Sequence, residues 1–137
     1  MAKVSEEDAD IIYRASVFEL RAMRRLNGEL PARQWFDGLT KKGQGQVMAA
    51  VQVVETTLLA GRPPGGRAQK VVISTTGLWE LKPTKPGGSP PHLRLLYLRR
   101  ENVLWAAGGF SKQKNKLSSA DVRACDEVTK EWIEQGN

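Results

Sequence analysis

The chain has 137 residues, 40% of them hydrophobic, with 21 Lys/Arg against 15 Asp/Glu and a formal net charge of +6. That is enough chain for one core without covalent staples, and the single cysteine, Cys125, rules out an internal disulfide. No apolar run approaches the roughly 20 residues needed to cross a bilayer, and the acidic start is unlike a signal peptide, so a cytoplasmic location without membrane contact is expected.

In chain order, residues 1–12 form an acidic extension with Glu6, Glu7, Asp8 and Asp10 and are expected to be flexible; residues 13–137 form a single domain. Ser16 to Leu26 reads as a strand, with Val17, Phe18, Leu20, Ala22 and Leu26 as its apolar members. Asn27-Gly28 signals a turn, and Pro31 suits the first turn of a short helix over Ala32–Leu39 that buries Trp35, Phe36 and Leu39. A second helix is predicted from Lys41 to Leu59, where Val47, Val51, Val54 and Leu58 make one stripe, and Gly61 through Gly66 ends it. The short connection makes the two helices an expected antiparallel hairpin.

Strands follow at Val71–Ile73 or Leu78–Lys82, at Leu93–Arg99 and at Val103–Phe110. Pro83–Pro91 is a loop, and Arg100-Glu101-Asn102 a hairpin turn. The last helix begins near Ser118 or Ser119 and runs to about Gln135, with Val122, Cys125, Val128 and Trp132 on one face. The predicted class is α+β: a small antiparallel sheet packed by an N-terminal helical hairpin and a C-terminal helix.

Charge is unevenly placed. Arg62 to Arg123 holds 12 Lys/Arg and 3 Asp/Glu, a local +9, while the remainder is −3. A cationic sheet points to a polyanion, either nucleic acid or an acidic protein. The only histidine, His92, sits in a Pro-Pro-His context and reads as a loop residue, so neither a nucleophilic triad nor a His/Cys zinc site is supported. What remains is charge stabilisation by Arg and Lys, which suits attack of an RNA 2′-hydroxyl on the adjacent phosphate without a metal or other cofactor. Arg94, within Leu93-Arg94-Leu95-Leu96, either pairs with a carboxylate such as Glu80 on the neighbouring strand or faces an anion. Tyr97 is expected half packed with its hydroxyl available. Trp79, Trp105 and Phe110 are expected to pack the sheet, and Cys125 to be a buried small hydrophobe.

Asn27-Gly28-Glu29-Leu30-Pro31-Ala32-Arg33-Gln34-Trp35-Phe36, Gly77-Leu78-Trp79-Glu80-Leu81, Leu93-Arg94-Leu95-Leu96-Tyr97 and Gly109-Phe110-Ser111-Lys112 with Lys116, in that order, resemble the RelE/ParE toxin superfamily on its HigB-like branch. The resemblance spans roughly Phe18 to Trp132. It implies a RelE-like fold and the toxin of a type II toxin-antitoxin system: a translation-dependent mRNA endoribonuclease acting on the ribosome and silenced by a cognate antitoxin, often a helix-turn-helix protein. By position, Arg94, Lys112, Lys116 and Tyr97 match family site positions. Arg94, Lys112 and Lys116 would hold and neutralise the phosphate, with Tyr97 and Glu80 handling protons or orientation. Lys82, Arg99 and Lys114 are further candidate RNA contacts. Gly108-Gly109-Phe110 stands where many members have His-Gly-Phe, and Lys116-Leu117-Ser118 where Lys-Thr-Pro is frequent. The alternatives are a non-nuclease toxin of the same fold that inhibits a protein such as a gyrase, and a non-toxic RNA-binding regulatory module.

Overall fold

The computed structural model describes residues 9–84 and 88–137. Its elements are β1 (Ile11–Arg14), β2 (Glu19–Ala22), α1 (Pro31–Asp37), α2 (Lys41–Leu59), a short 3-10 turn (Gly65–Arg67), β3 (Ala68–Lys70), β4 (Trp79–Leu81), β5 (His92–Arg100), β6 (Val103–Lys112) and α3 (Ser119–Glu134). The class is α+β: three helices among the described residues and a six-stranded sheet in the order β1-β2-β6-β5-β4-β3.

Two features of the expected fold are corrected. The sheet is mixed, because β2 pairs parallel with β6 while the other four pairings are antiparallel. The N-terminal part is a pair of strands, not a helical hairpin. Ile11 and Ile12, assigned above to the flexible extension, belong to β1; residues 1–8 of that extension lie outside the described residues. Val71–Ile73 is loop, and the strand on that side is Ala68–Lys70.

The helices form where their sequences allow. Pro31 opens α1 where a missing N–H costs nothing. Thr40 caps α2 by accepting from the Gly43 N–H at 3.1 Å. Ser118 and Asp121 close α3 with a reciprocal capping box. The stripe of α2 (Val47, Val51, Val54) and that of α3 (Val122, Cys125, Val128, Trp132) are both buried, as their spacing predicts.

The helices cover opposite faces of the sheet. On one face, α1 and α2 enclose Phe18, Leu20, Leu93, Leu95, Tyr97 and Leu104. On the other, α3 encloses Met23, Leu78, Leu96 and Ala107. Alternation along β5 therefore sends odd-numbered residues to the α1/α2 side and even-numbered ones to the α3 side. A bulge in β6 breaks its own alternation: Leu96 opposes Gly108 while Tyr97 opposes Ala106. The bulge turns both Ala107 and Gly108 toward α3 and leaves Gly109 against α1. A Cβ on Gly109 would lie 2.1 Å from the Trp35 ring, and one on Gly108 would lie 2.9 Å from Cys125 Sγ. Small residues at 107–109 are what this approach of two helices to one strand requires.

Candidate functional site

The register of β4, β5 and β6 decides which polar residues meet. His92 lies opposite Lys112, Arg94 opposite Phe110, and Glu80 opposite Leu96. His92, Arg94, Glu80, Phe110 and Lys112 therefore share the α3 side of the sheet. Phe110 packs against the apolar cluster under α3, and His92, Arg94, Glu80 and Lys112 are the polar members of that side.

Arg94 is only 2% exposed. Its Nη1 donates to Leu93 O at 2.6 Å and to Thr84 Oγ1 at 3.1 Å, and its Nε lies 3.8 Å from Glu80 Oε1. Burial pulls its pKa below the usual guanidinium range, and Glu80 opposes that pull. Of the two possibilities open from sequence, the pairing with Glu80 is present. Glu80 Oε1 also lies 3.7 Å from Lys82 Nζ, which donates to Gln69 Oε1 at 2.9 Å. One carboxylate thus stands between two cations.

Lys112 closes the strand by donating to Asp121 Oδ2 at 2.7 Å, joining the end of β6 to the cap of α3. Burial of Asp121 raises its pKa, but hydrogen bonds from Lys112 and Ser118 outweigh this and hold the carboxyl below its usual range. Lys114 and Lys116 follow in an exposed connection. With Lys112 they line a cleft of about 730 Å³, and none of the described residues lining it is acidic.

Two expected site residues lie elsewhere. Tyr97, expected half packed with a free hydroxyl, is 3% exposed in the α1/α2 core, and burial pushes its pKa up to about 12, against a lowering effect of Arg99. It is on the opposite side of the sheet from Arg94 and is corrected from the proton-handling set. Arg99 shares that opposite side; its Nε donates to Glu101 O at 2.8 Å and its Cζ sits 5.1 Å from the Phe18 ring centroid. It does not join Lys82, Lys112 and Lys114.

His92, expected in a loop, is instead the first residue of β5 and 6% exposed. Its Nδ1 is buried and has no hydrogen-bond partner among the described residues. The spacing of His92 and Arg94, two polar residues two apart in an apolar strand, was the available signal; the preceding Pro90-Pro91 obscured it. The packing residues behave as expected: Trp105 lies 5.0 Å from Trp132, Phe110 and Trp79 pack on the two cores, and Cys125 is buried with its thiol pushed up to about 12 by desolvation. Position 108, where the resembled family often carries histidine, faces Cys125 with no room for a side chain unless that cysteine shifts. No helix among the described residues is long and apolar enough to cross a membrane. No family model matches the chain, and no curated protein matches it either.

Proposed function

We propose that this chain is the toxin of a type II toxin-antitoxin system: a cytoplasmic RelE/HigB-like endoribonuclease that cuts mRNA on the ribosome without a metal and is silenced by a cognate antitoxin, of helix-turn-helix type. One observation carries the reading. Arg94, Glu80, Lys82 and Lys112 are gathered on one side of the sheet, beside a cleft lined by Lys112, Lys114 and Lys116. In the reaction the 2′-oxygen bonds to phosphorus and the bond from phosphorus to the 5′-oxygen breaks. The products are a 2′,3′-cyclic phosphate and a 5′-hydroxyl. One proton leaves the 2′-hydroxyl and one reaches the leaving oxygen.

The three lysines supply positive charge where the phosphorane becomes more negative. Arg94, closed off by Thr84 and Leu93, acts by fixing Glu80 as the proton acceptor rather than by gripping the phosphate itself. His92, on the same side and opposite Lys112, is the imidazole placed to return a proton. The burial of Arg94 also supports a second reading, because a toxin that binds a protein such as a gyrase, or a non-toxic RNA-binding module, needs the cationic surface and no exposed guanidinium.

Tightly controlled expression with mapping of mRNA 5′ ends tests the choice. New 5′-hydroxyl ends within open reading frames, lost on Lys112→Ala, are the expected result. Broken DNA with intact mRNA would replace the nuclease by a gyrase poison, and undisturbed growth would leave the binding module.

A further inference from the structure

The loop between β3 and β4 presents apolar side chains to water: Val72 is 88% exposed and Ile73 60% exposed. The loop is nevertheless tightly held. Asp126 on α3, itself buried, accepts from Ser74 Oγ at 2.7 Å, Thr76 Oγ1 at 2.6 Å and Thr75 N at 3.0 Å. Ser74 Oγ in turn accepts from Thr76 N at 3.3 Å and Leu78 N at 3.0 Å, and Ser74 N donates to Val71 O at 3.1 Å. Six hydrogen bonds are committed to holding two β-branched residues, which have few rotamers to lose, out in solvent. A surface of that kind has already met much of the ordering cost of binding.

Ile73 also forms a wall of the lysine cleft, with Lys112, Lys114, Lys116 and Leu117. An occupant must therefore offer apolar groups to Val72 and Ile73 and negative charge to three lysines. Single-stranded RNA meets the second demand but not the first, because its splayed bases stack on aromatic rings or guanidinium planes rather than on aliphatic branches. We propose that the Val72–Ile73 loop and the adjoining cleft are a docking surface for an acidic, amphipathic segment of a partner protein. Its apolar side chains cover Val72 and Ile73, and its carboxylates face Lys112, Lys114 and Lys116. This goes beyond the nuclease reading and does not depend on it. Where RNA uses the same lysines, the partner and RNA exclude each other.

The test uses the full chain and two probes. One is a labelled amphipathic peptide with leucines at helical spacing and glutamates on the remaining positions; the other is an oligouridylate. A control peptide carries glutamine in place of each leucine. The expected result is saturable binding of the leucine peptide, weakened about tenfold or more by the Val72→Ser/Ile73→Ser double substitution, that is by at least the ~1.4 kcal/mol equivalent to tenfold. Lys114→Gln/Lys116→Gln should weaken it and flatten its salt dependence. Oligouridylate should displace the peptide and be insensitive to the serine variant. The proposal is overturned if the leucine peptide fails to bind, if the glutamine control binds as well, or if the serine variant binds the peptide normally. Equal loss of oligouridylate affinity in the serine variant would give the loop to RNA instead. Should the serine variant melt early, the methyl resonances of Val72 and Ile73 in the unsubstituted chain decide: shifts on peptide addition support the surface, and unmoved methyls overturn it.

Discussion

Leu96 and Arg94 stand two residues apart on the same side of β5, and both are almost wholly buried, but different forces hold them. Leu96 belongs to the apolar cluster under α3, with Leu78, Ala107, Val122 and Cys125, where attraction is non-directional and scales with area removed from water. Arg94 is held by directional contacts: Leu93 O, Thr84 Oγ1 and Glu80. The first arrangement is strong but indifferent to chemistry. The second contributes little net stability, because desolvation offsets most of the Coulomb gain, yet it places a carboxylate between two cations on the same side of the sheet. Stability and candidate function thus lie side by side on one surface, separated by a single turn of the pleat.

Leu96→Ala should break the apolar half hardest, costing about 2–5 kcal/mol in chemical unfolding; a cost below about 1 kcal/mol would mean that α3 does not close on this strand. Arg94→Ala should cost less, about 1–3 kcal/mol, from leaving Thr84 and Glu80 short of their partner. Arg94→Lys should recover part of the stability but not the fork of contacts. Toxicity measured on the same two variants separates the roles: folded but harmless protein supports the assignment of Arg94 to the site, and folded, fully toxic protein removes it.

Gly108→Ala tests the boundary between the halves. The added methyl group, 2.9 Å from Cys125 Sγ, should cost about 1–3 kcal/mol. Pairing it with Cys125→Ala should return about 0.5 kcal/mol or more of that, and purely additive costs would show that the two residues do not meet.

Acid should act on the polar half through Asp121. Its folded pKa is depressed by Lys112 and Ser118, so its stabilisation is complete above the unfolded carboxylate range and is lost as pH falls through the lower folded value. Asp121→Asn should flatten that acid limb of the melting curve, and an unchanged limb would assign it to other carboxylates. Asp126, Glu55 and Glu131 are depressed in the same direction and add to that slope, while Asp10, raised by burial, opposes it. The smallest effect on stability, within about 0.5 kcal/mol, is expected for Lys114→Gln/Lys116→Gln. If RNA occupies the cleft, the same pair should lower the salt slope of oligouridylate binding by about 1.4, near 0.7 for each phosphate contact.

The parts legible in the sequence are those that a long period or strong punctuation marks. The α2 range, Lys41–Leu59, matches the predicted one, and the stripes of α2 and α3 point as expected. What was missed is short or depends on partners. β1 and β3 have four and three residues, too few for alternation to show, and β1 begins directly after an acidic run. Val71-Val72-Ile73 has strand composition, but Asp126, fifty residues on, claims the following backbone for a loop. The parallel β2–β6 pairing leaves no local trace at all. In the site, Arg94 and Glu80 could be paired on paper because they sit on neighbouring strands. The separation of Tyr97 from them follows from the parity of 94 and 97, which puts the two side chains on opposite sides of one strand.

The parallel seam between β2 and β6 has a consequence for synthesis. Glu19 pairs with Val103, so an early strand must wait for most of the chain before its inner edge is covered. Closing so long a loop is entropically slow, and an open strand edge invites pairing with other chains. A nascent chain halted before Val103 holds β2, α1 and α2 but neither Lys112 nor the cap of α3. The order of synthesis therefore makes the β5–β6 hairpin the committing step, and withholds the cationic end of the sheet until the hydrophobic seam beside it can shut.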